Sequence, residues 1–228
     1  MKNKLLLLFF LLGVFFPLSA QESEVLISTS HTSLLLSTSQ GGELKFLYYG
    51  RKLTDADVHA IVSTESGSFS AYPVYGLNCP SESALSVQHE DGNMTLQMEV
   101  IGVETTHQEK ANLTVISLKD KVYPFYVKLC YKAYQDVDVI EAWTEISHKE
   151  KKNVKLNQFA SAYLPVRKGN VWLSSLYGAW ANEARLVQEP LEPGMKVIKN
   201  KDGVRNSHTA HAEVMFSLDG QPRENSGR

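Results

Sequence analysis

Between Phe125 and Lys132 the side chains alternate with a period of two. Phe125, Val127, Leu129 and Tyr131 fall on one side, Lys128 and Lys132 on the other. A helix repeats every 3.6 residues, so this pattern specifies a strand with one buried and one wet face. It is not isolated. Leu34–Thr38, Leu44–Tyr49, Leu85–His89, Met94–Val100, Val115–Leu118, Val139–Ile146, Val154–Tyr163 and Val171–Tyr177 all read as strands. Asp91-Gly92, Lys168-Gly169-Asn170, Pro193-Gly194 and Asp202-Gly203 supply turn signals between them. One window, Thr54–Val62, suits a short helix, with Thr54 as its N-cap. Many antiparallel strands at close spacing predict an all-β sandwich or double sheet. The run from about Val25 to Leu218 has no break in composition, which predicts one domain spanning residues 21–228.

The first twenty residues follow different rules. Lys2 and Lys4 precede an apolar run from Leu5 to Phe16, and Pro17, Ser19 and Ala20 offer a cleavage site before Gln21. That is the layout of a secretory signal peptide over residues 1–20. The run is too short for a comfortable membrane span, so a secreted or periplasmic product with no membrane partner is expected. The formal net charge is −2, and removing Lys2 and Lys4 makes it more acidic. With no basic block, nucleic acid is not an expected partner. Cys79 and Cys130 are the only cysteines. They allow one bridge but do not make a disulfide framework, and Cys130 falls inside a strand, where a buried free thiol is common.

Most catalytic signatures are absent. There is no phosphate-binding glycine loop, no Gly-x-Ser-x-Gly, no Cys-x-x-Cys and no His-Glu-x-x-His. No cofactor or metal is expected: His208 and His211 are three apart, but loop histidines in solvent are the plainer reading. Glu141 and Glu145 share a strand face, about 13 Å apart along the chain. A retaining glycosidase needs its carboxyl groups about 5–5.5 Å apart, so a solvated face is the better account. Asp55 and Asp57 sit where either a ligand or a helix start would use them. The stretch Leu176–Leu186 is the most suggestive. Gly178, Trp180, Glu183 and Arg185 suit a sugar-contacting loop, because an indole stacks on the C–H face of a pyranose.

Taken in order, these stretches resemble the N-terminal β-domain of glycoside hydrolase family 36, the α-galactosidases. The matching segments are Leu44–Leu53, Tyr72-Pro-Val-Tyr-Gly76, Ser83-Ala-Leu85, His89-Glu-Asp-Gly92, Val122–Tyr126 with Leu129-Cys-Tyr131, Asp138-Val-Ile-Glu-Ala-Trp143, Phe159–Ala162, Leu176–Leu186, Gly203–His208 and Gly220–Gly227. The resemblance implies a large antiparallel β-supersandwich, similar to the double sheet of galactose mutarotase. It implies a separate (β/α)8 barrel holding the aspartate nucleophile and acid/base, which leaves this chain inactive alone. It further implies homo-oligomer contacts and residues lent to the rim of an α-galactoside site. Trp180 matches the tryptophan of the Gly-x-Trp-x-x-Glu motif, and Asp57 the aspartate after the Tyr-Gly-basic-basic-Leu motif, with Asp55 competing. The chain stops short of the barrel, which suggests a truncated or split gene product, or a fragment of a longer protein. His208–Glu213 departs from the family's usual Asn-Pro-Phe character.

Overall fold

The computed structural model describes residues 24–38, 42–64, 69–76, 82–166, 169–200 and 209–224. The expected signal peptide, Cys79, the Asp202-Gly203 turn, the Gly203–His208 segment and the last four residues lie outside them. Thirteen strands and one helix are described: β1 (Glu24–Ser28), β2 (Thr32–Thr38), β3 (Leu44–Arg51), α1 (Asp55–Ser63), β4 (Phe69–Ser70), β5 (Leu85–Gln88), β6 (Met98–His107), β7 (Ala111–Asp120), β8 (Phe125–Tyr134), β9 (Val139–His148), β10 (Lys155–Phe159), β11 (Trp172–Ala179), β12 (Asn182–Pro190) and β13 (Ala210–Ser217). All paired strands run antiparallel. The all-β sandwich expected from the alternation is the fold observed. The chain divides into two compact units, residues 1–165 and 166–228.

The first unit holds two four-stranded sheets, β1-β2-β3-β4 and β6-β7-β8-β9, and the small pair β10-β5. One cluster joins them. Val25 and Ile27 of β1, Leu34 and Leu36 of β2 and Phe46 of β3 share it with Ile116 and Leu118 of β7 and with Phe125, Val127 and Leu129 of β8. The alternating face of β8 is thus its core face, and Phe125 is 1% exposed. The unbroken Leu34-Leu35-Leu36 run has a separate cause. Its strand is covered on both faces. Leu35 points away from the main core and packs with Leu47 and Val58 of α1. A strand buried on both sides loses its polar alternation.

Helix α1 begins where the sequence places it. Thr54 is the N-cap, and a capping box links it to Asp57. The β1–β2 turn is tied to the β8–β9 turn by one carboxylate. Asp138, at φ +54, accepts from Thr29 Oγ1, from the His31 backbone N–H and from Thr32 Oγ1. Aspartate is among the few residues that tolerate this left-handed backbone. Gln135 adds a bond to the Ser28 carbonyl at 2.8 Å. Cys130 is a buried free thiol.

The second unit is a three-stranded sheet with β11 in the middle, flanked by β12 and β13. Leu173, Ser174 and Ser175 of β11 are buried, whereas most of β12 and β13 is exposed.

Candidate functional site

The β11–β12 hairpin carries the Gly-x-Trp-x-x-Glu stretch. Ala179 and Asn182 form its last pair, leaving Trp180 and Ala181 as a two-residue tip. Ala181 has φ +58 without being glycine, a left-handed conformation that costs about 1–2 kcal/mol. Just below the tip the register shifts. Tyr177 pairs with Arg185 and Ala179 with Asn182, so Gly178 faces both Glu183 and Ala184. Ala184 is also left-handed, at φ +55. Such a bulge bends the strand and increases its twist, which re-aims whatever the tip carries. The Gly178 N–H is held by the Thr209 carbonyl at 2.9 Å. At the end of this hairpin Trp180 is 84% exposed. An indole used as a core anchor would be covered; this one is presented to solvent.

Asp57 occupies the third helical position of α1. Its Oδ2 accepts from the Thr54 N–H at 2.9 Å and from Thr54 Oγ1 at 2.7 Å. In return the Asp57 N–H donates to Thr54 Oγ1 at 3.3 Å. Hydrogen bonding to the Thr54 side chain, then to its backbone, holds the Asp57 carboxyl below the usual aspartate range. The helix-start role is therefore filled by Asp57. Its Oδ1 takes no part in the box. Asp55 opens the helix and is exposed in the same first turn.

Other residues singled out by the sequence fall elsewhere. Glu141 and Glu145 are exposed on the outer face of β9, opposite Lys132 and Lys128. His211 Nδ1 lies 3.6 Å from Glu213 Oε2, while His208 is outside the described residues. Among the described residues no group of three or more His, Cys, Asp or Glu is arranged to hold a metal ion.

The His89-Glu-Asp-Gly92 motif has a role that spacing alone does not reveal. His89 Nδ1 and Glu150 Oε1 are 2.8 Å apart, with both side chains buried. Tyr123 stacks on the imidazole at 3.7 Å between ring centroids, and its hydroxyl donates to Asp91 Oδ2 at 2.7 Å. That bond is the main reason the Asp91 carboxyl lies low and the Tyr123 phenol high. The only sequence signal was the motif itself, since Glu150 is 61 residues from His89.

A family model described as the glycosyl hydrolase family 36 N-terminal domain matches residues 42–228. Among curated proteins the chain is similar to α-galactosidase Mel36A of Lactobacillus acidophilus, 29% identical over 46% of this chain and 14% of that protein. Among solved structures, the α-galactosidase AgaA A355E of Geobacillus stearothermophilus, in complex with 1-deoxygalactonojirimycin, superposes with a TM-score of 0.76 at 19% identity. It covers 84% of this chain and 31% of its own. The α-galactosidase of Lactobacillus brevis gives a TM-score of 0.73 at 19% identity, over 88% of this chain and 31% of its own. These structures share the fold, and the chain spans about a third of their length. By the match over residues 42–228, the chain belongs to the glycosyl hydrolase family 36 N-terminal domains.

Proposed function

We propose that this chain is the non-catalytic N-terminal part of a secreted α-galactosidase, where it supports an oligomer and lends Trp180 and Asp57 to the rim of the sugar site. The observation that carries the proposal is the indole, 84% exposed at the tip of a bulged hairpin. Exposing a large aromatic ring to water is unfavourable, and the C–H face of a galactoside covers it while leaving the indole N–H free to donate. Asp57, in the first unit, is a fixed acceptor. Its carboxyl stays charged at neutral pH, and a charged acceptor forms a strong bond with a sugar hydroxyl. Secretion follows from the leader layout of residues 1–20. The substrate class is that of its relatives, one of which, AgaA of Geobacillus stearothermophilus, was solved as two variants, in complex with raffinose and with stachyose.

Catalysis is assigned to the remainder of a longer enzyme. Retaining hydrolysis uses two carboxyl groups about 5–5.5 Å apart. Glu141 and Glu145 of β9 are four residues apart and each is tied to an aromatic neighbour, Tyr134 and Trp143. Titration of raffinose into the purified chain by calorimetry, with Trp180→Ala alongside, tests the sugar role. A smaller heat in the variant is expected. An unchanged isotherm in Trp180→Ala removes Trp180 from the site.

A further inference from the structure

The outer face of β8 and β9 holds a second aromatic platform. By register, Trp143 faces Cys130 across the two strands, with Lys132 opposite Glu141 on one side and Lys128 opposite Glu145 on the other. All lie on the face turned away from Phe125, Val127 and Leu129. Trp143 is half-buried, and Glu141, Glu145 and Lys128 are exposed. An exposed glutamate normally samples many rotamers. Here both are held. Tyr134 donates its hydroxyl to Glu141 Oε2 at 2.9 Å, and Trp143 Nε1 donates to Glu145 Oε1 at 3.3 Å. The Lys132 ammonium is held over the Tyr134 ring, 4.9 Å from its centroid. The patch is thus an indole bordered on both sides by one fixed acceptor and one cationic donor.

We propose that this face, centred on Trp143, is a second carbohydrate-binding site, one that takes a neutral oligosaccharide. Its two acids and two bases cancel, so it offers no net attraction to nucleic acid or an anionic surface. A polyhydroxyl ligand suits it, because each hydroxyl both donates and accepts and meets carboxylates and ammonium groups in alternation. Preorganised polar groups also bind without a large ordering cost. The site belongs to the first unit and Trp180 to the second, so it stands independently of the function proposed above.

The test follows the indole N–H signals of Trp143, Trp172 and Trp180 by NMR, each assigned from its Trp→Phe variant. Raffinose is added to the intact chain up to about 20 mM, because one stacked ring supports only weak affinity. A saturable shift of the Trp143 signal is expected, with Glu145→Ala and Lys132→Ala each weakening the affinity about fivefold or more. Both substituted side chains lie on the solvent side of the sheet, so the fold survives their loss. A stationary Trp143 signal overturns the proposal, whatever Trp180 does. So does an equal drift of all three signals, which reports solvent alone. Movement of Trp143 without Trp180 supports this site and counts against the rim role of Trp180; the reverse pattern does the opposite.

Discussion

The sheet β6–β9 and the sheet β11–β13 are both antiparallel, with strands of eight to ten residues, yet they handle apolar surface differently. In the first, the inner face of the two central strands is sealed. Ile116, Leu118, Phe125, Val127 and Leu129 are all buried in a cluster shared with β1–β3. In the second, both faces leave apolar side chains in solvent. Val187, Val214 and Phe216 stand on the face of Leu173 and Ser175, and Leu186 and Met215 stand on the face of Leu176. A strand that alternates between core and solvent carries polar groups outward; β12 and β13 do not. The first sheet seals the core face of β7 and β8, and its exposed apolar residues Ile101, Val103 and Val139 lie on the flanking strands β6 and β9. The second leaves apolar surface exposed on both faces, and its exposed tryptophan lies at the tip of the same hairpin.

Substitutions should therefore act very unequally. Phe125→Ala empties the sealed core and should cost about 3–5 kcal/mol in urea unfolding. A loss under about 1 kcal/mol would mean that the core is not the stabilising element of the first unit. Gly76→Ala should come next, at about 1–3 kcal/mol. Gly76 has φ +98, and a Cβ there would sit 2.7 Å from the Thr95 Cα, a backbone atom that cannot step aside. Thr54→Ala removes the cap of α1 and should cost about 1 kcal/mol by the same measurement.

Acid should loosen the link between the β1–β2 and β8–β9 turns. The bond from Thr29, followed by those from His31 and Thr32, holds the Asp138 carboxyl below the ordinary aspartate value. Its folded pKa is depressed, so its stabilisation is full above about pH 4 and is lost as pH falls through the lower native value. The group is exposed, so the effect is small. Melting temperatures between pH 5 and pH 3 should fall less in Asp138→Asn than in the parent chain; equal slopes would remove Asp138 from the account. The smallest effect belongs to the second sheet. Met215→Ala should change stability by no more than about 0.5 kcal/mol. A loss comparable to Phe125→Ala would erase the distinction between the two sheets.

Short β-prone runs between turn signals, three of them with period two, made most strands legible, and the Thr54 cap marked α1 to within a residue. Strand limits were harder where local side-chain bonds captured the backbone. Met94–Val100 alternates, yet β6 begins only at Met98. Before it, the Thr95 N–H bonds to Asn93 Oδ1 and the Gln97 N–H to Asp120 Oδ2. Leu96 is still fully buried, so the hydrophobic pattern was sound while the ladder was not. The stretch Val154–Tyr163 likewise shortens to Lys155–Phe159. The Ala160 and Ser161 carbonyls beyond it accept from the Tyr72 hydroxyl and from Thr144 Oγ1. The Asp138 link could not be read, because its partners lie more than 100 residues away. Nothing in composition marks the division after Pro165. For the site, the sequence singled out Trp180, but not that its ring is solvent-facing, since a tryptophan beside a glycine fits a core as readily as a tip. Asp57 was legible in both its senses, and only the capping box is visible in the fold.

On the function we propose, this chain recognises and supports but does not cleave. Release of nitrophenol from a nitrophenyl α-galactoside by the purified chain tests it most directly. The account predicts a rate indistinguishable from buffer at any enzyme concentration. Turnover that scales with the chain and survives repurification would contradict it, because it would require a nucleophile and an acid/base within these 228 residues.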